Sequence, residues 1–450
     1  MLASRLSDFR AFVSGKSLKR RALRSSIWTF FGAGAQYSLR LVSTLFLTRL
    51  LDPEAFGLMS LATVFMLAIG LMSDIGTTPS IIRSSRGEDA VFLRTAWTIQ
   101  AIRGVLITII ACSLAWPVAQ FYGQLLLFPM ICLLSLTALI KGFTSIAEPL
   151  ARRAMALRKL TKIDLITQIV TTLLTIGSAW ALESVWALVI GALIGSVLRL
   201  FLTYKMLDPF AHSFGFERKA LSEIVVFGRW ILLGTFLTFL GGEGIQAVFG
   251  ILVPVDVLGM IAIAHTLGWA LGDLMKKVLG NVAFPALSEV IRDRPQDAPR
   301  VLRQIQLMLI TGCLPIFILL SVVAQDLIDL MYDHRYAQAG VFLSILALNG
   351  AMGTLSMPYQ SALLAAGESR LHAIVMGLAA GLRIIAVFVG FHFAGVVGML
   401  AALGAATALV FLVSATFAHR RGMASLPIDS IALVLLGVAY VVTLPYAIGS

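Results

Sequence analysis

Charge, cysteine and polar loops are all scarce in this chain. Charged side chains make up 13% of its 450 residues, against roughly 25% in a soluble domain, while 59% are apolar and mean hydropathy is +0.92. That excludes an ordinary water-soluble fold. Cys112, Cys132 and Cys313 lie inside apolar runs without metal-ligand spacing. A disulfide framework is excluded, and the three read as small interior residues. There is no phosphate loop, metal-ligand cluster or nucleophile triad spacing, so no enzyme, cofactor or metal site is expected. The net charge of +12 comes without a basic, aromatic-interleaved soluble domain, and nucleic acid is not an expected partner.

What the chain does have is a series of apolar runs of about 20 residues, each long enough to cross roughly 30 Å of hydrocarbon. They fall near 25–50, 56–82, 91–116, 125–148, 163–182, 185–205, 222–250, 256–279, 301–323, 337–364, 371–391, 394–418 and 430–448. The expected fold is an all-α polytopic membrane protein of about 13 spans, within a range of 12–14. Of 35 Lys and Arg residues, 27 lie in the N-terminal tail or in every second connection, and only Arg49 and Arg335 lie in the others. The excess of basic residues marks the cytoplasmic side. A cytoplasmic N-terminus follows, with a retained first helix rather than a removed signal peptide.

The chain also repeats itself. "LLDPEAFGLMSLA" (Leu50–Ala62) and "LVPVDVLGMIAIA" (Leu252–Ala264) share a Pro, then an acid, then a Gly with Ala five residues beyond. Gly57 and Gly259 are six spans apart, so the repeat is parallel, a plan known in secondary transporters. This predicts a basic tail (1–24), a six-helix bundle (25–205), a cytoplasmic linker (206–222), a second six-helix bundle (223–418) and a further C-terminal helix (419–450).

Trp28–Ser85, "WTFFGAGAQYSLRLVSTLFLTRLLDPEAFGLMSLATVFMLAIGLMSDIGTTPSIIRS", resembles the N-terminal signature of bacterial polysaccharide transporters, the Wzx-type oligosaccharide flippases of the multidrug/oligosaccharidyl-lipid/polysaccharide exporter superfamily. "TAWTIQAIRG" (Thr95–Gly104), "VAFPALSEV" (Val282–Val290), "AGVFLSILALNG" (Ala339–Gly350) and "ALLAAGESRL" (Ala362–Leu371) agree in order and spacing. Ile261 departs from the pattern, standing where relatives often have Tyr. The resemblance implies export of undecaprenyl-diphosphate-linked oligosaccharide repeat units across the bacterial inner membrane by alternating access. It also implies polymerase or export machinery as a partner, alongside membrane lipids; the transporter itself is expected to be a monomer. A multidrug exporter of the same superfamily is the main alternative, and a membrane glycosyltransferase or polymerase a weaker one.

Charges inside the spans are the candidate site. An Arg at the centre of a membrane helix costs about 2.5–3.5 kcal/mol on insertion scales and so faces a cavity or a partner. Arg40 precedes Pro53 by 13 residues, which places it roughly 20 Å below that turn. For an anionic diphosphate, Arg40, Arg103 and Arg383 are the expected ligands, with Gln36 and Gln100 among the polar groups for sugar. Aligning the repeats on their glycines brings Arg40 to the depth of Glu243 and Asp74 to that of Lys276. These are the two expected gating pairs, with pairing of each charge inside its own bundle as the alternative. "GAG" (Gly32–Gly34) and "GGEG" (Gly241–Gly244) mark close packing or a bend in spans one and seven.

Overall fold

A computed structural model describes residues 18–74, 76–84, 86–154, 156–207, 210, 212–279, 287–288, 290–291, 294–420 and 426–449. The basic tail up to residue 17, most of Val282–Val290, Arg292 and Arg421 lie outside the described residues. The described chain is helical throughout. α1 (Leu18–Leu50) begins ahead of its expected start, taking the last basic residues of the tail into the first helix, and a tight turn leads into α2 (Pro53–Met72). The short α3 (Thr77–Arg83) precedes α4 (Ala90–Phe121), and α5 (Leu127–Gly142) turns through 63° into α6 (Ala147–Arg153). α7 (Leu157–Leu182) and α8 (Trp186–Met206) pack as a pair.

The expected seventh span is two helices, α9 (Arg218–Gly241) and α10 (Gly244–Leu252), interrupted at the "GGEG" stretch. α11 (Val255–Val278) follows. α12 (Ala298–Gly312) and α13 (Leu314–Val322) form one apolar span, with Pro315 in the first turn of α13. Next come α14 (Ala324–Met331), a 3-10 turn at His334–Tyr336, α15 (Gln338–Ala365), α16 (Ser369–Arg420) and α17 (Leu426–Gly449). At about 1.5 Å per residue, the 52 residues of α16 measure roughly 78 Å, more than twice the hydrocarbon thickness. They are two spans, folded at Ala394 and Gly395. Gly395 has φ 58° and ψ −142°, a conformation open only to glycine.

Eight helical segments among the described residues are long and apolar enough to cross a membrane, or nine with the bent α5–α6 pair. The thirteen expected runs all correspond to helices. In lipid, apolar area gives little drive between helices, so close packing of small residues carries association. α15 shows this. Its most apolar window is 89% buried; Ala347 and Gly350 let Gly268 of α11 approach its backbone, and Gly340 does the same for Gln325 of α14.

The chain divides by packing into two units, residues 1–43 with 66–235, and 44–65 with 236–450. This division differs from the expected one, because α1, α2 and α9 are each shared. The last turns of α1 and the first turns of α2 belong with the second unit, while most of α9 belongs with the first.

Candidate functional site

A helix end leaves its last four carbonyls without partners and carries about half a negative charge. Several of the embedded polar side chains are placed at such ends. In the first unit, Arg103 reaches the end of α2, where Nη2 donates to the Gly70 carbonyl (2.6 Å) and Nε to the Ser73 hydroxyl (3.1 Å). Its Nη1 lies 3.4 Å from the Asp74 carboxylate, which also accepts the Gly76 amide at 3.0 Å. Gln100, on the same α4, donates from Nε2 to the carbonyls of Lys141, Gly142 and Thr144, closing α5. Arg153 does the same for α3, with Nη1 donating to the carbonyls of Ile81, Ile82 and Ser84 at 2.7–2.9 Å. Arg199, on α8, joins Glu148 at 2.9 Å and also Asp164.

Arg40 is placed differently. It is exposed, in the interior of α1, with Gln36 one turn before it on the same face. Glu243 is exposed at the start of α10, and Lys276 is exposed in the last turn of α11. Thus Asp74 and Arg103 are brought together by the structure, and Arg383 and Gln100 are engaged at helix ends.

Within the second unit the two repeat motifs meet. Gly57 and Gly259 are each the fifth residue of their helix, α2 and α11. A Cβ at Gly57 would lie 2.8 Å from the Val255 carbonyl carbon, and one at Gly259 would lie 2.8 Å from the Pro53 carbonyl carbon and 2.9 Å from the Gly57 nitrogen. Each motif's glycine receives the other's first helical residue, the reciprocity expected of a two-fold-related pair. Around this crossing the Tyr336 hydroxyl donates to the Leu51 carbonyl (2.7 Å), and the Tyr336 ring meets Phe56 edge-on at 6.1 Å. Arg335 spans Asp52 (2.6 Å), Asp333 (3.2 Å) and the carbonyls of Arg49 (3.3 Å) and Thr48 (3.5 Å) at the end of α1. The Ser60 hydroxyl donates to Gln246 at 3.2 Å. Sequence reasoning gave Arg335 no role. Its signal was its place among the two basic residues of the otherwise acidic connections.

The expected 206–222 linker is docked on the first unit. The Gly215 and Glu217 amides donate to the hydroxyls of Thr98 (3.0 Å) and Thr95 (3.1 Å), which themselves donate one turn back to Arg94 and Val91 carbonyls. Arg86 pairs with Glu217 at 2.7 Å, and the Ser84 hydroxyl donates to Glu223 at 2.6 Å. His212 sits among Trp97, Tyr204 and Phe210, and its Nε2 accepts the Ile146 amide at 3.1 Å. That acceptor role needs the neutral ring. Burial lowers its pKa below the ordinary 6.5, partly offset by a hydrogen bond with the Phe210 backbone.

A profile of the family described as "Polysaccharide biosynthesis protein" matches residues 46–340. The lipopolysaccharide biosynthesis protein WzxC of Escherichia coli (strain K12) is 21% identical over 85% of this chain and 78% of its own length. Among solved structures, the lipid II flippase MurJ in an inward closed conformation superposes with a TM-score of 0.68 at 15% identity, covering 93% of each chain. An inward-facing multidrug resistance MATE transporter gives 0.64 at 14% identity, over 86% of this chain and 94% of that one. At such identities the structures establish the fold: an all-helical, multi-pass membrane transporter fold.

Proposed function

Because the chain belongs to the polysaccharide biosynthesis protein family, we propose that it is a flippase moving undecaprenyl-diphosphate-linked oligosaccharide repeat units across the bacterial inner membrane for surface polysaccharide synthesis. The family is one of transporters, not enzymes. Two likenesses support the specific cargo: a relative named for lipopolysaccharide biosynthesis and a fold shared with a lipid II flippase. The observation that carries the reading is Arg40, a guanidinium exposed in the interior of α1, one turn from Gln36. Guanidinium stays charged in any environment and matches phosphate oxygens two at a time, so an exposed one inside a span suits a diphosphate.

In this reading the N-terminus and the 206–222 linker are cytoplasmic, following the basic residues. Arg40 and Gln36 meet the diphosphate and the first sugar, while Arg103, Gln100 and Arg383 contact cargo only after leaving their present helix-end partners. The gating pairs stay part of the proposal. Asp74 meets Lys276 in a state in which it has released Arg103, and Arg40 meets Glu243 when the carrier is empty. Swapping the charges of Arg40 and Glu243 should restore what each single change loses. The polymerase that consumes the exported unit is the natural partner.

Deleting the gene and locating its lipid-linked sugars tests the function. Repeat units accumulating on the cytoplasmic leaflet, restored to export by the wild-type chain but not by Arg40→Ala, are expected. Normal polysaccharide with a new sensitivity to cationic drugs would refute the reading in favour of a multidrug exporter.

A further inference from the structure

The interruption of the seventh span creates an electrostatic demand inside the second unit. α9 stops at Gly241, which is buried, and α10 starts at Gly244. The turn between them is held by the Gly242 amide on the Phe239 carbonyl at 3.1 Å and by the Ile245 amide on the Gly242 carbonyl at 3.1 Å. A helix that ends within a span points unpaired carbonyls and the negative end of its dipole into a medium without water. In secondary transporters such half-helix ends and unwound carbonyls coordinate the sodium ion or proton that drives the cycle.

Here the neighbour of that end is α16. Ala380 packs at 3.7 Å from where a Gly241 Cβ would stand, and Arg383 lies one turn further along the same face. Its Nη1 donates to the Gly241 carbonyl. The guanidinium is only partly exposed, and its Nε is buried without a partner among the described residues. A helix end that asks for a cation has been given one that is covalently attached.

We infer that Arg383 is the resident cation of the span-seven interruption, occupying with its guanidinium the place that a sodium ion takes in other carriers, so that this protein folds and works without sodium. Arg383 is then a positioning residue: it fixes where α9 ends and how α10 is aimed. The inference concerns the driving ion and holds whatever the cargo is.

Thermal unfolding of the full-length chain in detergent tests it, run in sodium chloride and in choline chloride at equal ionic strength. The wild type should melt at the same temperature in both. Arg383→Ala should melt lower and recover with millimolar guanidinium, which restores the missing cation without the tether. Arg383→Lys, which keeps the charge but loses the planar fork, should fall between the two. A sodium-specific rise in the wild-type melting temperature overturns the inference, and needs no variant to fold. So does an Arg383→Ala protein that melts like the wild type and ignores guanidinium. Transport of the cargo in proteoliposomes should likewise proceed with choline replacing sodium, and a strict sodium requirement would refute the proposal while leaving the cargo assignment standing.

Discussion

Gly57 and Gly259 offer a test of the helix crossing at which the two sequence repeats meet. A methyl group at position 57 would be driven into the Val255 carbonyl, and one at 259 into the Pro53 carbonyl, both backbone atoms that cannot rotate aside. The helices must part, and overpacking of this kind costs about 1–3 kcal/mol. If the crossing is made in one state of the transport cycle and broken in another, that cost falls on the first state alone. The population ratio then shifts by roughly 5- to 150-fold toward the state in which residues 44–65 have left the second unit. Spin labels at Glu54 and His334, both exposed, would report this by pulsed electron resonance in a background without the three native cysteines. Gly57→Ala should populate a longer distance. The double variant Gly57→Ala/Gly259→Ala should add much less than a second full increment, since the two glycines serve one contact. Full additivity, or distances unchanged in all three variants, would refute the reciprocal crossing as a state-dependent contact.

Arg335→Ala removes charge-assisted hydrogen bonds worth about 1.5–3 kcal/mol each in general and should lengthen the same label distance, with Asp52→Ala adding little on top because its main partner is already gone. His212 gives a pH dependence of definite sign. Its docked pKa is lowered by burial, so the linker's docking is fully present above the ordinary value of 6.5 and is lost as pH falls through the lower, folded value. Hydrogen exchange of residues 212–217, corrected for intrinsic rates, should rise on acidification below 6.5, and His212→Gln should flatten the profile. Arg103→Ala should lower the melting temperature together with transport, because it breaks the bonds to Gly70 and Ser73 and the pairing with Asp74. A variant that melts like the wild type would refute the helix-end role of Arg103.

Much of the architecture was legible from hydropathy, because a bilayer forces each span to a minimum apolar length and punishes open backbone. The thirteen runs became helices; of the two stretches marked for close packing or a bend, "GGEG" is where α9 gives way to α10, while "GAG" lies within the unbroken α1. The repeat was legible too, from two short turns, and its glycines turned out to touch. Partners were harder to read. Asp74 and Lys276 sit at equivalent register, yet Asp74's carboxylate lies beside Arg103 of α4. Register reports depth along a helix axis but not which neighbour a side chain faces. The packing of the linker was not legible for a similar reason: His212, Gly215 and Glu217 carry no periodic signal, and their docking depends on hydroxyls at Thr95 and Thr98 that the sequence shows only as ordinary helix residues.

The basic side chains follow a rule that bears on cargo recognition. Arg103 and Arg383 inside spans, and Arg153 and Arg335 in the connections, each donate to carbonyls where a helix stops. A bilayer makes an unpaired carbonyl expensive, and a long cationic side chain from an adjacent helix is a compact way to satisfy it. Basic residues in a span therefore mark helix ends first, and counting them overstates the positive charge available to an anionic substrate. Arg40 stands apart: it is exposed in the interior of α1, ten residues before the helix stops at Leu50. A guanidinium at that position does not finish its own helix, which makes the middle of α1, rather than the count of arginines, the place to look for what the protein carries.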